Sequence, residues 1–337
     1  MRIGLDAMGG DHAPATEVQG ALEARALLDP GDKIVLVGQE PVILEQLKDA
    51  TDWRETIEIR NAPQVIQMND PPVEALRTKP NSSIAVLAEM HRDGEVDACI
   101  SAGNTGAFVA AAQMRLRRLR GVHRPGIAIV TPTPRGPVVV CDVGANVACR
   151  PLHLYQYGVM ASVYGSMVVG IENPRVAVLS VGQEEGKGNE LVKRSSELLR
   201  EDPNVNFVGN VEGRDVFNGF CDVIVCDGFV GNVALKLIEG MAQSLIRTMF
   251  TDIASRVPKI FSGTVKKLAK GVLDQFDFNQ YGGAPLLGVG GICTITHGAS
   301  DANGIMNAVR ATKEHLQHRV NDYITERLAQ GQRIVHG

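Results

Sequence analysis

The chain is poor in aromatic residues. Phe, Trp and Tyr make up 4% of its 337 positions, with a single tryptophan, which argues against a protein that stacks nucleic-acid bases on aromatic platforms. It has no basic excess either. Lys and Arg number 34 against 38 Asp and Glu, and a net charge of −4 leaves no footprint for nucleic acid, so no such partner is expected. No apolar run reaches the roughly 18 residues that a spanning helix needs. The opening "MRIGLDAMGGDHAP" lacks the long apolar core of a secretory signal. A soluble, cytoplasmic protein is expected, with association to a membrane surface left open. The six cysteines, at 99, 141, 149, 221, 226 and 293, form no C-x-x-C, and Cys99, Cys141 and Cys226 sit in apolar runs. They read as buried free thiols of a reducing compartment rather than as disulfides or zinc ligands. Also missing are a Walker A lysine, a G-x-G-x-x-G after the first strand, a G-x-S-x-G elbow and an H-E-x-x-H pair.

What is present reads as an α/β protein. Short apolar runs suit strands covered on both faces: 2–6, 33–38, 56–60, 96–101, 126–131, 137–142, 175–181, 205–209 and 222–227. Helical patterns lie between them, at 14–28, from a Ser82 cap onward, and at 106–119, 151–169, 189–200, 230–250 and 303–329. The alternation predicts a mostly parallel sheet with helices on both sides. "GIAIVTPTPRGPVVVCD" breaks it as an antiparallel hairpin, so the sheet is expected to be mixed. No repeat or long linker forces a cut. The expectation is a single large domain over 1–337, with a protruding amphipathic helical segment at about 245–278.

Small polar residues gather where strands end. "IGLD" runs into "AMGGDHAP" (Asp6, Gly9, Gly10, Asp11), and "ACI" into "SAGNTGA" (Ser101, Gly103, Asn104, Thr105, Gly106). "VVVCD" runs into "VGAN", ending at Asn146, and "VIVCD" into "GFVGN", from Asp227 to Asn232. A fifth run, "AVLSVGQEEGKGN", carries Lys187. Ligands of open α/β sheets bind beyond the carboxyl ends of strands. Glycine there permits close approach, and the following helix N-terminus suits an anion. Each junction alone reads as readily as a turn. Five together read as a cleft for an anionic or carbonyl-containing substrate. Residues 280–309 add another strand and loop, with Gly282, Gly283, His297 and Asp301. Ser300 or Asp301 is placed to cap the next helix, and His297 reads equally as a half-buried structural residue or a substrate contact. Asp6, Asp11, Asp142 and Asp227 could hold Mg²⁺, but strand-end aspartates also fix turns. The preferred reading is a site with no metal and no cofactor.

Residues 258–278, "PKIFSGTVKKLAKGVLDQFDF", place Phe261, Val265, Leu268, Val272 and Phe276 on one helical face, with Lys259, Lys266, Lys267 and Lys270 nearby. Such a helix suits an anionic membrane or an acidic protein. It suits equally the core or a second copy of the chain.

Taken in order, "DAMGGDHAP" (6–14), "SAGNTGA" (101–107), "DVGAN" (142–146), "KGN" (187–189), "CDGFVGN" (226–232), "YGGAPLLG" (281–288) and "HGASD" (297–301) resemble the bacterial phosphate acyltransferases of phospholipid synthesis, the acyl-acyl carrier protein:phosphate transacylases. The likeness is collinear and runs from residue 1 to about 316. The chain departs from the pattern at Ala148, where an acidic residue is common, and at Gly304, in an unusual helix start. The resemblance implies an α/β/α three-layer fold similar to isopropylmalate dehydrogenase and phosphate acetyltransferase, and a homodimer. It implies transfer of a long fatty acyl group from acyl carrier protein to inorganic phosphate. The acyl phosphate formed would feed a membrane glycerol-3-phosphate acyltransferase, and the enzyme would associate loosely with the inner face of the membrane. Carried onto this sequence, it puts phosphate on the "SAGNTG" loop and Asn146, and gives Lys187 the task of balancing charge. Asn232 would stabilise the oxyanion, and His297 would orient phosphate or protonate the leaving thiolate. Asp6, Gly9, Gly10, Asp11, Asp227, Gly282, Gly283 and Asp301 would complete the substrate site. Lys266, Lys267 and Lys270, or Arg115, Arg117, Arg118 and Arg120, would meet the acidic carrier protein; Phe261, Val265, Leu268 and Val272 would meet the membrane.

Overall fold

A computed structural model describes residues 1–256 and 278–335. The basic amphipathic run, with Phe261, Val265, Lys266, Lys267, Leu268, Lys270 and Val272, lies outside the described residues. The apolar runs form β1 (Arg2–Asp6), β2 (Lys33–Gly38), β3 (Ile57–Asn61), β4 (Ala98–Ser101), β5 (Gly126–Thr131), β6 (Val138–Cys141), β7 (Arg175–Ser180), β8 (Asn206–Glu212) and β9 (Val223–Val225). The glycine-rich segment before His297 supplies two short strands where one was expected, β10 (Ala284–Leu287) and β11 (Cys293–Ile295). The helices are α1 (Ala15–Ala24), α2 (Glu40–Leu47), α3 (Pro72–Thr78), α4 (Ser83–Arg92), α5 (Thr105–Leu116), α6 (Pro151–Met167), α7 (Glu190–Glu201), α8 (Gly228–Arg256), α9 (Ala302–Gln317) and α10 (Val320–Val335).

Among the described residues, eleven strands join one sheet in the order β3-β2-β1-β4-β11-β10-β5-β6-β9-β7-β8. Two parallel blocks make it up. β3, β2, β1, β4 and β11 run one way, while β6, β9, β7 and β8 run the other. Between them β10 and β5 are antiparallel to each other and to their outer neighbours. The expected hairpin is the β5–β6 pair, in register from Ala128↔Cys141 to Thr131↔Val138. Helices cover both faces, which makes a three-layer α/β/α fold. On one face Ile84, Leu87, Phe108 and Ala112 of α4 and α5 pack on Val35, Cys99, Ile127 and Cys293. On the other, Val18 and Ala21 of α1 and Ile305 and Val309 of α9 pack on Ile3, Leu5, Ile34 and Ile100. In the second block α6 is buried at 12 of its 17 residues, because α10 covers it from outside through Val320, Ile324 and Leu328.

The pattern over 303–329, which reads as one helix, is two. Arg319 takes φ 50°, so the chain turns between α9 and α10. All six cysteines are free thiols, and only Cys149 is partly exposed.

Candidate active site

The loop after β1 is built on two buried carboxyls. Asp6 is fully buried; its carboxylate accepts from the Ser101 hydroxyl at 2.7 Å and from the Met8 N–H at 3.0 Å. Burial raises its pKa above the ordinary carboxylate value, against the pull of those bonds. Glu17, at the start of α1, is buried with Oε2 unbonded, and burial, with the Asp6 and Asp11 charges adding to it, pushes its pKa up to about 7. Glycine is required here for space. A Cβ on Gly9 would lie 2.5 Å from the Gly103 nitrogen, and one on Gly10 would lie 2.1 Å from Glu17 Oε1. The Asp11 N–H donates to the Gly298 carbonyl at 2.8 Å, so the loops after β1, β4 and β11 are bound into one wall.

In "SAGNTGA" the structure separates roles that the sequence leaves joined. The Ser101 hydroxyl lies inside, between Asp6 and the Gly103 N–H. Asn104 caps α5, its Oδ1 accepting from the Ala107 N–H at 3.0 Å, while Nδ2 donates to the carbonyls of Gln67, Met68 and Asp70. Gly106 packs on Pro72. Thr105 is the polar side chain of this loop that is exposed and lines the cavity, beside Gly103. The N–H groups of Thr105 and Gly106 open α5 and have no carbonyl four residues back within the helix.

That cavity, of about 310 Å³, runs along the faces of β5 and β11 under α8. Its apolar side is Ile127, Ile129, Val130, Val143, Leu235 and Ile295, and its polar rim is Asp11, Thr105, Asn232, Lys236, Glu239, Thr296 and His297. Asn232 and Lys236 are four apart on α8, so both face the cavity. His297 Nδ1 accepts from the Ala299 N–H at 3.1 Å, and Nε2 stands 3.5 Å from Lys236 Nζ, which pairs with Glu239 at 2.8 Å. Thr296 is buried and its hydroxyl has no partner.

Several of the other residues singled out from sequence hold the walls in place. Asp227 caps α8 by accepting from the Phe229 and Val230 N–H groups, and Asp301 caps α9 by accepting from the Gly304 N–H. Asn146 is buried, and its Nδ2 donates to Asp142, the Pro125 carbonyl and the Tyr157 hydroxyl. Asp142 in turn accepts from the N–H groups of Ile127, Gly144, Ala145 and Asn146; burial still raises its pKa. Gly282 and Gly283 take φ of +78° and +89° on entry to β10, and Gly283 lines the cavity. Lys187 is exposed on the loop after β7 and does not line the cavity, although β7 lies beside β9, the strand that leads into α8. Arg115 pairs with Glu89, and Arg118 donates to the His123 carbonyl. Lys236, Thr296 and Glu17 belong to the site or its walls without a motif that marks them in the sequence. For Lys236 the one signal is its spacing, one helical turn beyond Asn232. Among the described residues no group of three or more His, Cys, Asp or Glu is placed to hold a metal ion, and no helix is long and apolar enough to cross a membrane.

A family model described as "Fatty acid synthesis protein" matches residues 1–323. A phosphate acyltransferase of Pelotomaculum thermopropionicum is 46% identical over 321 residues, 95% of this chain and 93% of the relative. One of Geobacter sulfurreducens is 44% identical over 332 residues, 97% of this chain and 94% of the relative. Among solved structures, a phosphotransacetylase from Streptococcus pyogenes superposes with a TM-score of 0.63 at 16% identity, over 94% of each chain. The EutD phosphotransacetylase from Staphylococcus aureus gives 0.60 at 14% identity, also over 94% of each chain. These two bear on the fold alone.

Proposed function

The chain belongs to the phosphate acyltransferase family and is an enzyme of that class; from that premise we propose that its donor is a long-chain acyl-acyl carrier protein and its product an acyl phosphate for phospholipid synthesis. The observation that carries this reading is the cavity itself, where an aliphatic wall of Ile127, Ile129, Val130, Val143, Leu235 and Ile295 meets a rim of hydrogen-bond donors. A fatty chain suits the wall and an anion suits the rim.

Phosphate at neutral pH is a charged nucleophile. One of its oxygens forms a bond to the thioester carbon, the carbonyl oxygen takes up charge, and the carbon–sulfur bond then breaks. The proton of hydrogen phosphate passes to the departing sulfur, whose thiol has a pKa of about 8.5. The protein's tasks are to align phosphate with the carbonyl and to stabilise the oxyanion. In this reading Thr105 and the first N–H groups of α5 approach phosphate, and Asn232 donates to the oxyanion. His297 orients phosphate or passes the proton on, and Lys187 balances charge from the neighbouring loop. Asp6, Gly9, Gly10, Asp11, Ser101, Asn104, Asn146, Asp227, Gly282, Gly283 and Asp301 serve by fixing the walls.

The test is purified protein with palmitoyl-acyl carrier protein and phosphate. Acyl phosphate should form, with palmitoyl-CoA a poorer donor. Equal or better use of a short acyl-CoA would sink the carrier-protein assignment. The same reading includes a homodimer that meets the membrane surface through residues 258–278 and passes its product to a membrane glycerol-3-phosphate acyltransferase. Leu268→Glu should then abolish flotation of the protein with anionic vesicles; retained flotation counts against it.

A further inference from the structure

We propose that Lys236 is a catalytic residue, its Nζ and the Nε2–H of His297 together gripping the attacking phosphate at the rim of the cavity. The inference rests on the phosphate transfer described above and supplies it with a cation inside the cavity. Among the described residues lining the cavity, Lys236 is the only lysine or arginine.

Three observations converge on it. First, the Ala299 N–H donates to His297 Nδ1, so in the neutral ring the proton sits on Nε2. That nitrogen, Nε2, stands 3.5 Å from the Lys236 ammonium nitrogen. Two donors cannot satisfy each other, and an acceptor oxygen between them satisfies both. Second, Nζ has three N–H bonds, and Glu239 takes one at 2.8 Å. Glu239 thereby holds the ammonium in place and leaves the others for an anion. Third, Thr296, next to His297, is 5% exposed, lines the same cavity and has a hydroxyl with no partner. A buried hydroxyl without a partner is a cost that a bound oxygen relieves.

The surroundings strengthen the grip. Leu235 and Ile295 are neighbours of Lys236 and Thr296 in sequence and line the same cavity, so part of this wall is apolar, and charges near it are less screened than in open water. Phosphate held between α8 and the loop after β11 also lies in the cavity that Asn232 lines, one helical turn before Lys236. The ammonium remains protonated throughout. It offsets phosphate's charge and fixes the attacking oxygen, while the proton that reaches sulfur comes from phosphate itself. Lys187 lies on a different loop, and the two cations are separate contributions.

The experiment uses the full chain, with inorganic phosphate as the probe. The Lys236 side chain is 54% exposed, so Lys236→Ala leaves no buried hole, and its melting temperature without phosphate should match the parent. Saturating phosphate should raise the melting temperature of the parent but not of Lys236→Ala. In acyl transfer, KM for phosphate should rise about tenfold or more in Lys236→Ala, while KM for the acyl donor stays within about twofold. Lys236→Arg should recover much of the loss. An unchanged phosphate KM, a phosphate-dependent melting shift retained in Lys236→Ala, or no such shift in the parent would each overturn the proposal. If the parent forms no acyl phosphate, the transfer reading fails on that arm, and the melting comparison still decides whether Lys236 holds the anion.

Discussion

Glu17 makes the loop after β1 sensitive to pH. Its carboxyl is buried, its Oε2 has no partner, and its pKa of about 7 is well above the ordinary value of 4.5. The folded state therefore holds a proton that the unfolded chain releases. The stability this proton confers is complete below about pH 4.5 and is lost as pH rises through 7. Glu17→Gln keeps the shape of the neutral acid and cannot ionise. Urea unfolding of both proteins at pH 5 and pH 8.5 should show the parent losing about 3 kcal/mol relative to the variant. Parallel pH profiles would show that Glu17 ionises freely in the folded protein. None of this is legible from "DAMGGDHAP" alone. The sequence marks Gly9 and Gly10 as close-approach positions, but it does not show that the atom approaching Gly10 is Oε1 of Glu17, or that Gly9 meets Gly103. The same limit holds in "SAGNTGA". The capping role of Asn104 follows from local spacing, whereas its three bonds to residues 67–70 follow from tertiary packing.

Helix α8 shows what an element adds to a residue. One face turns Asn232, Lys236 and Glu239 to the cavity. Another carries Phe229, Val233, Leu237 and Met241 at four-residue spacing, and each of these is more than half exposed. The helix is thus divided between a face toward the cavity that is polar apart from Leu235 and an exposed apolar face away from it. Substitutions on the two faces should differ in kind. In the proposed mechanism Asn232 donates to the developing oxyanion, so Asn232→Ala should lower kcat about a hundredfold. Leu237→Ser, on the outer face, should leave turnover of a soluble acyl donor within about twofold. Equal losses at both positions, measured as initial rates of acyl phosphate formation, would remove Asn232 from the oxyanion role. The division was not visible in sequence, because a period of 3.6 fixes which residues share a face and not which face meets the sheet. The break between α9 and α10 escaped for a related reason. It falls at His318 and Arg319, with neither glycine nor proline to mark it, where α10 turns back to cover α6.

At the scale of the whole molecule, the strands and the hairpin follow from local apolar patterning, and the direction of the sheet does not. The ends of β1, β4 and β11 lie at one edge and those of β6, β9 and β7 at the other, because β10 and β5 reverse the sheet between two parallel blocks. Of the five junctions that the sequence joins in one cleft, four reach the cavity along β5: Asp11 follows β1, Gly103 and Thr105 follow β4, Val143 follows β6 and Asn232 follows β9, while Lys187, after β7, does not line it. The reversal depends on the entry to β10. There Gly282 takes φ +78°, and a Cβ would meet the Asn307 carbonyl oxygen of α9 at 2.3 Å. Gly94, after α4, has nearly the same φ, +74°, with nothing within 4 Å of the same Cβ position. The pair separates backbone strain from crowding. Gly94→Ala carries the strain alone and should cost about 1 kcal/mol. Gly282→Ala adds a collision with backbone that cannot move without shifting α9 off the sheet, and should cost about 3 kcal/mol or more. It should also lower acyl transfer, because Gly283, before β10, and His297, after β11, flank the same end of this antiparallel pair, which α9 supports. Equal urea midpoints for the two variants would show that α9 gives way freely. The cavity wall built on β10 and β11 would then be compliant, not set by the close packing of Gly282 on α9.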